Sequence, residues 1–261
     1  MKVCLLQTDI AWNNPRKNRE EAGRLMEGAA GADVYILPEM FSTGFATEPE
    51  GMAEGDGASL RWMREMAAER DAAIVGSIAT DCGGGDFRNR LYFVTPDGKV
   101  AHYDKRHLFT YSGEHLQYAC GTERTIVEFR GVRFLLCVCY DLRFPVWSRN
   151  VPGEEEEYDC AIYVANWPTS RREAWETLLR ARAIENQCYV CGVNRVGSDM
   201  ACEYWGGTQV IDPYGKVVAE CREGAEDAAL AYMDMERLVR FRKKFPVLKD
   251  ADAFTMHIRG K

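Results

Sequence analysis

Three stretches of the chain each end an apolar run in a residue able to do chemistry. Phe134-Leu-Leu-Cys-Val-Cys-Tyr-Asp-Leu-Arg-Phe-Pro145 runs apolar to Val138, places a thiol at Cys139 and then turns. Val34 to Leu37 leads through Pro38 to a carboxylate, Glu39, and the strand-like stretch before Tyr103-Asp-Lys-Arg-His107 leads to an ammonium, Lys105. A buried strand fixes its backbone, and its end opens into a cleft, so a strand end is a good place to hold a reacting group. A thiol, a carboxylate and an ammonium together suit attack on an amide. The sulfur is the nucleophile once its proton is taken, and the carboxylate can take that proton, pass it to departing ammonia and then activate water. The ammonium, with the backbone N–H of Tyr140, can hold the oxyanion. One such donor is typically worth about 2.7–4 kcal/mol of barrier. Each residue alone has a plainer reading: a core cysteine, a hairpin-end lysine, a carboxylate opening a helix. The ordered set is what carries the signal.

These three stretches, in the order Glu, Lys, Cys, resemble the signatures of the nitrilase superfamily of carbon–nitrogen hydrolases. Met40-Phe-Ser-Thr-Gly-Phe45, Tyr103-Asp-Lys-Arg-His-Leu-Phe109, Gly113-Glu-His115 and Tyr163-Val-Ala-Asn-Trp-Pro168 resemble its bacterial omega-amidase branch. The resemblance covers nearly the whole chain. It implies that Glu39, Lys105 and Cys139 are the catalytic triad and that Glu114 is the family's second glutamate, expected to hold the lysine while Glu39 serves the sulfur. It also implies hydrolysis of the terminal amide of a small 2-oxo dicarboxylate monoamide through a cysteine thioester, with no cofactor. Phe45, Tyr111, Tyr140, Asn166 and Trp167 are the substrate-pocket candidates. Arg143 is either the cation for a substrate carboxylate or a structural arginine paired with an acid. The rival readings are another activity of the superfamily, on N-carbamoyl amines or nitriles, or a non-catalytic scaffold on the same fold.

Around these residues, strand-like runs alternate with helical ones. Strands are expected at 3–7, 34–37, 74–78, 90–94, 100–103, 125–129, 132–139, 160–164, 189–193, 208–211 and 217–219, and helices at 16–28, 60–70, 171–186 and 235–244. Runs apolar on both faces belong in a covered sheet, so the pattern alone gives an α/β fold with a mixed sheet. The resemblance narrows this to a four-layer α-β-β-α sandwich, two mixed sheets flanked by helices, in a single domain over 1–261. In the helix at 171–186, Ala174, Leu178, Ala181 and Ile184 make one apolar stripe, with Trp175 and Leu179 off it. A helix apolar on more than one face needs cover on more than one face. With the resemblance, this suggests a homodimer or larger homo-oligomer through Trp175, and a C-terminal tail, 246–261, ordered at the subunit interface.

Composition agrees. The 261 residues are 46% hydrophobic, enough for a sizeable core, and the formal net charge is −7. Acidic blocks such as Glu154-Glu-Glu-Glu157, read as a solvated loop, argue against nucleic acid or an anionic membrane as partner. No run approaches the roughly 20 apolar residues of a membrane span, and the N-terminus reads directly into a strand, so a cytoplasmic location is expected. Several of the ten cysteines, Cys4, Cys137, Cys160 and Cys191 among them, sit in apolar runs and read as reduced core residues. Cys137-Val-Cys139 and Cys188-Tyr-Val-Cys191 resemble half-sites for zinc or a redox pair, but both sit in strand-like runs, where residues three apart face opposite sides, and the four histidines show no ligand spacing, so no metal is expected. No glycine-rich loop opens a helix after a strand, which argues against nucleotide binding.

Overall fold

The computed structural model describes residues 1–151, 153 and 157–257. In chain order the elements are β1 (Lys2–Gln7), α1 (Pro15–Gly28), β2 (Val34–Ile36), α2 (Ala58–Arg70), β3 (Ala73–Asp81), β4 (Phe87–Val94) and β5 (Val100–Asp104). There follow α3 (Glu114–Gln117), β6 (Ile126–Phe129), β7 (Val132–Val138), β8 (Cys160–Ala165), α4 (Arg172–Glu185), β9 (Tyr189–Asn194), β10 (Val196–Ser198) and β11 (Glu203–Trp205). The chain ends with β12 (Gln209–Ile211), β13 (Val217–Glu220), β14 (Asp227–Tyr232) and α5 (Met235–Lys244).

Two six-stranded sheets form, with strand orders β14-β1-β2-β3-β4-β5 and β13-β12-β9-β8-β7-β6. Each has a parallel centre, β1-β2-β3 in one and β7-β8-β9 in the other, and antiparallel flanks. Period-two alternation sets the layers. On β1, Val3 and Leu5 enter the core between the sheets, while Cys4 and Leu6 face α1 and α2 with Ala22, Met26 and Met63. Across the inter-sheet layer the Phe93 and Phe134 rings meet at 5.6 Å between centroids. The continuous apolar runs of β8 and β9 are buried along their whole length, as expected of strands covered on both faces. The four-layer α-β-β-α expectation is met.

Two expectations need correction. On α4 the stripe of Ala174, Leu178, Ala181 and Ile184 is not the core face: Ile184 is half exposed, whereas Trp175 and Leu179 are fully buried with Ala183. The Trp175 indole donates to the Gly207 carbonyl at 2.8 Å and its ring lies 5.4 Å from that of Trp167, so an intrachain contact covers it. The helix can press this close because β9 carries a glycine at the crossing. A Cβ on Gly192 would stand 2.4 Å from Leu179 Cδ1. Glu157 is not simply solvated, since it pairs with Arg242 at 2.9 Å; Glu154, Glu155 and Glu156 lie outside the described residues. The tail also touches its own chain: Leu248 is buried, Met256 packs against the core, and just before them Gln187 Nε2 donates to the Phe245 carbonyl at 2.7 Å. Residues 258–261 lie outside the described residues. The strand β14, which pairs with β1 from the far end of the chain, and the ribbon of β10 and β11 were not expected from the sequence. All ten cysteines are free thiols, and Cys4, Cys137, Cys160 and Cys191 are buried.

Candidate active site

The chemistry-bearing residues gather at the carboxyl ends of strands from both sheets. Glu39 follows β2, Lys105 follows β5, Cys139 follows β7 and Asn166 follows β8. Two of these ends bend sharply through left-handed backbone: Met40, just after Glu39, has φ 45°, and Cys139 itself has φ 44°. That region is costly for residues with a Cβ, and surrounding contacts must enforce it. At Met40 the enforcement is visible, with its N–H donating to Ser77 Oγ at 2.8 Å and its carbonyl accepting from Gly44 N–H at 2.8 Å.

Lys105 sits at the centre, fully buried with both carboxylates. Its Nζ donates to Glu39 Oε1 at 2.9 Å and to Glu114 Oε1 and Oε2 at 3.0 and 2.9 Å. Burial pulls the ammonium toward neutrality, but Glu114 and Glu39 overcome this and hold it well above the usual lysine range. Burial also raises the Glu114 carboxyl, against the pull of Lys105. Glu114 opens the short α3 after Gly113, whose φ of 82° makes the turn, and its Oε2 also takes the Phe109 N–H at 2.6 Å. Both Glu114 oxygens are thus bonded to the lysine.

Glu39 is held as an acceptor on both sides. Oε1 takes Asn89 Nδ2 at 2.7 Å besides Lys105, and Oε2 takes the Asn166 N–H at 2.9 Å. The Asn166 amide reaches back to the Glu39 carbonyl at 2.7 Å. The Cys139 thiol faces this carboxylate; burial, then the negative charge of Glu39, push it far above the ordinary thiol range although Lys105 pulls the other way. Burial and Glu39 thus favour the protonated thiol at this position.

Cys139 and Asn166 open onto a cavity of about 850 Å³. The sequence candidates divide there. Phe45 lies 5.3 Å from Lys105 Nζ and lines the cavity. Tyr140 and Tyr111 line it, Tyr111 being 85% exposed at the mouth. Asn166 both lines it and orients Glu39. Trp167 is buried with its indole donating to the Arg171 carbonyl at 2.8 Å, and Arg143 lies 4.9 Å over its ring. Arg143 makes no ion pair among the described residues, which removes the structural pairing left open above. No group of three or more His, Cys, Asp or Glu side chains could hold a metal among the described residues.

Sequence reasoning passed over two groups. Asn89 touches both glutamates, at 2.7 Å to Glu39 and 3.2 Å to Glu114. The signal was present: in Phe87-Arg-Asn-Arg-Leu91, Asn89 shares the inward side of β4 with Leu91, and an amide on a core face needs a partner. The other is Asp141, buried behind the nucleophile turn, which accepts from Tyr103 Oη and the Val138 N–H and bonds the His107 backbone N–H and ring Nδ1, all at 2.8–3.0 Å. His107 stacks on Phe144 at 3.8 Å.

Two packed mixed sheets with a buried Glu–Lys–Glu cluster facing a thiol define an enzyme that cleaves carbon–nitrogen bonds, and the chain belongs to the carbon–nitrogen hydrolase family, whose model matches residues 2–243. It is 46% identical over 257 residues to the omega-amidase YafV of Escherichia coli K12, covering 98% of each chain. It is 34% identical over 253 residues to a 2-oxoglutaramate amidase of Bacillus subtilis, covering 95% of this chain and 96% of that one. Among solved structures, XC1258 of Xanthomonas campestris, a CN-hydrolase superfamily protein with an arsenic adduct in its active site, superposes with a TM-score of 0.94 at 42% identity, over 98% of this chain and 99% of that one. The chain is thus a hydrolase acting on amides.

Proposed function

We propose that the protein is an omega-amidase that hydrolyses the terminal amide of small 2-oxo dicarboxylate monoamides, 2-oxoglutaramate and 2-oxosuccinamate, to ammonia and the 2-oxo dicarboxylate. The observation that carries the reading is the buried Lys105 ammonium held at 2.9 Å by both Glu39 and Glu114 beside a thiol that opens onto the cavity. The names of the relatives supply the substrate class.

In this reading Cys139 Sγ attacks the amide carbon as Glu39 takes the thiol proton. Because burial and Glu39 disfavour a standing thiolate, proton removal and attack are coupled, and no free thiolate accumulates. Lys105 and the Tyr140 N–H stabilise the oxyanion. Glu39 returns the proton to the departing nitrogen, ammonia leaves, and the acyl group stays as a thioester on Cys139. Glu39 then deprotonates a water that attacks the thioester, and the carboxylic acid and free thiol are regenerated. Glu114 keeps Lys105 charged and aimed throughout, so that Glu39 remains available as a base.

The family domain is proposed to span the whole chain, which forms a homodimer through the outer face of α4, where Ile184 is half exposed, together with the exposed Val239 of α5. Ten free thiols suit the reducing cytoplasm. Ammonia release measured over 2-oxoglutaramate, an N-carbamoyl amine and an aliphatic nitrile tests the substrate class. Release from the first at the highest kcat/KM is the expected result, and preference for either of the others overturns it.

A further inference from the structure

We propose that Arg171 selects the substrate by binding the carboxylate next to its 2-oxo group, with Arg143 assisting; this rests on the omega-amidase reading. The cavity that exposes Cys139 has two basic side chains in its lining, Arg143 and Arg171. Both lie on aromatic faces. The Arg171 guanidinium is 5.2 Å from the Phe109 ring centre and 5.6 Å from that of Tyr111, and the Arg143 guanidinium is 4.9 Å from that of Trp167. Among the described residues neither has a carboxylate within ion-pair distance. Arg172, one residue on, holds Glu176 and Glu223 both at 2.7 Å, so acids lie within reach of this segment and are turned the other way.

The backbone of Arg171 is fixed. Its N–H donates to the Pro168 carbonyl at 3.0 Å and its carbonyl accepts the Trp167 indole at 2.8 Å. Trp167 is thus tied to both arginines, by its ring to one and by its N–H to the other. Guanidiniums laid on rings keep their donors in plane, as a flat fork that matches a carboxylate at two points. Arg171 is the stronger candidate because it is partly buried, while Arg143 is exposed. The acids that face the same space do not cancel it. Asp199 is occupied by the Ala201 and Cys202 N–H groups and the Tyr204 hydroxyl, and Glu48 and Glu50 are exposed to water, where charge is screened. A monoamide with the amide carbon at Cys139 then presents its carboxylate toward the arginine end of the cavity.

The test compares the wild type with Arg171→Met and Arg171→Lys on 2-oxoglutaramate and on butyramide, which has no carboxylate. The preference for 2-oxoglutaramate, as a ratio of kcat/KM values, is expected to fall about 100-fold in Arg171→Met, mainly through KM, with Arg171→Lys between the two. An unchanged ratio overturns the proposal. A second arm measures calorimetric binding of 2-oxoglutarate to Cys139→Ala with and without Arg171→Met, circular dichroism confirming the fold. Binding weakened about tenfold or more supports the anion site, and equal binding overturns it. If the wild type releases no ammonia from 2-oxoglutaramate, the omega-amidase reading fails, and this second arm alone decides the role of Arg171.

Discussion

The Tyr103 hydroxyl donates to Asp141 Oδ2 across 2.8 Å, and this bond ties the strand ahead of Lys105 to the turn that begins at Cys139. The same carboxylate takes the Val138 N–H at 2.9 Å and the His107 N–H at 3.0 Å, so one buried group spans the two sheets at the point where their reacting residues must meet. Lys105 and Cys139 follow strands of different sheets, and Asp141 bonds residues beside both of them.

Asp141→Asn keeps the volume but turns two acceptor sites into donors facing N–H groups. Loss of stability by about 1–3 kcal/mol is expected, from buried donors left unpaired. A drop in kcat of more than about tenfold should accompany it, since displacing a positioned group by 1 Å is costly. Urea denaturation and steady-state kinetics on the same preparations check both. A variant with full kcat would show that Asp141 supports the fold without positioning the site.

Lys105→Arg should be nearly as inactive as Lys105→Ala. The ammonium sits in a cage of three contacts between 2.9 and 3.0 Å with no exposed surface, and a planar guanidinium does not fit where a compact charge does. Ammonia-release assays of the two variants decide it. An arginine variant retaining most of its activity would make the lysine a general positive charge.

The α4 surface gives a paired expectation. Trp175→Glu should yield little folded protein, because it puts a charge into a fully buried site, whereas Ile184→Glu should fold and weaken the proposed dimer. Light scattering near the chain mass of 29.6 kDa for Ile184→Glu, with a larger mass for the wild type, is the predicted result. A wild type that scatters at the chain mass removes the dimer.

Alkali should destabilise the fold well before arginine or lysine titrates. Burial pushes the thiols of Cys4, Cys188 and Cys221 up to about 12. In the unfolded chain they titrate near 8.5, so above that pH the unfolded state binds fewer protons than the native one. The stabilisation from a raised pKa is therefore complete below about pH 8.5 and lost as pH climbs toward 12, by about 1.4 kcal/mol per pH unit for each thiol. Melting curves from pH 8 to 11 should fall steeply, and Cys4→Ala should flatten the slope even though it lowers the midpoint at neutral pH. A slope unchanged by this substitution contradicts the assignment.

Much of this was legible in the chain. The strand ends that carry Glu39, Lys105 and Cys139 stood out because apolar runs stop at residues able to react. The hairpin through Pro96-Asp-Gly98 was written in turn chemistry, and β4 and β5 lie on either side of it. What was hidden depended on distance along the chain or on rotation. The β14 strand pairs with β1 across more than two hundred residues, and its alanine-rich run, with no β-branched residue, gave no strand signal. The buried face of α4 was misassigned because both of its faces carry apolar residues, and the space for Trp175 and Leu179 comes from the glycine at 192 on the facing strand. Asn89 and Asp141 looked like ordinary polar residues of a strand and a turn. Their importance lies in what they touch, and those partners come from elsewhere in the fold.

The central claim, a thioester on Cys139 formed with the help of Glu39, is tested by mixing the enzyme with 2-oxoglutaramate, quenching in acid within milliseconds and measuring the mass of the Cys139 peptide. The account predicts an acyl adduct on that peptide which decays as ammonia release proceeds, is absent from Cys139→Ala, and forms far more slowly in Glu39→Gln. Ammonia release from Cys139→Ala at a near-normal rate, with no adduct on the wild type at any time, would contradict it.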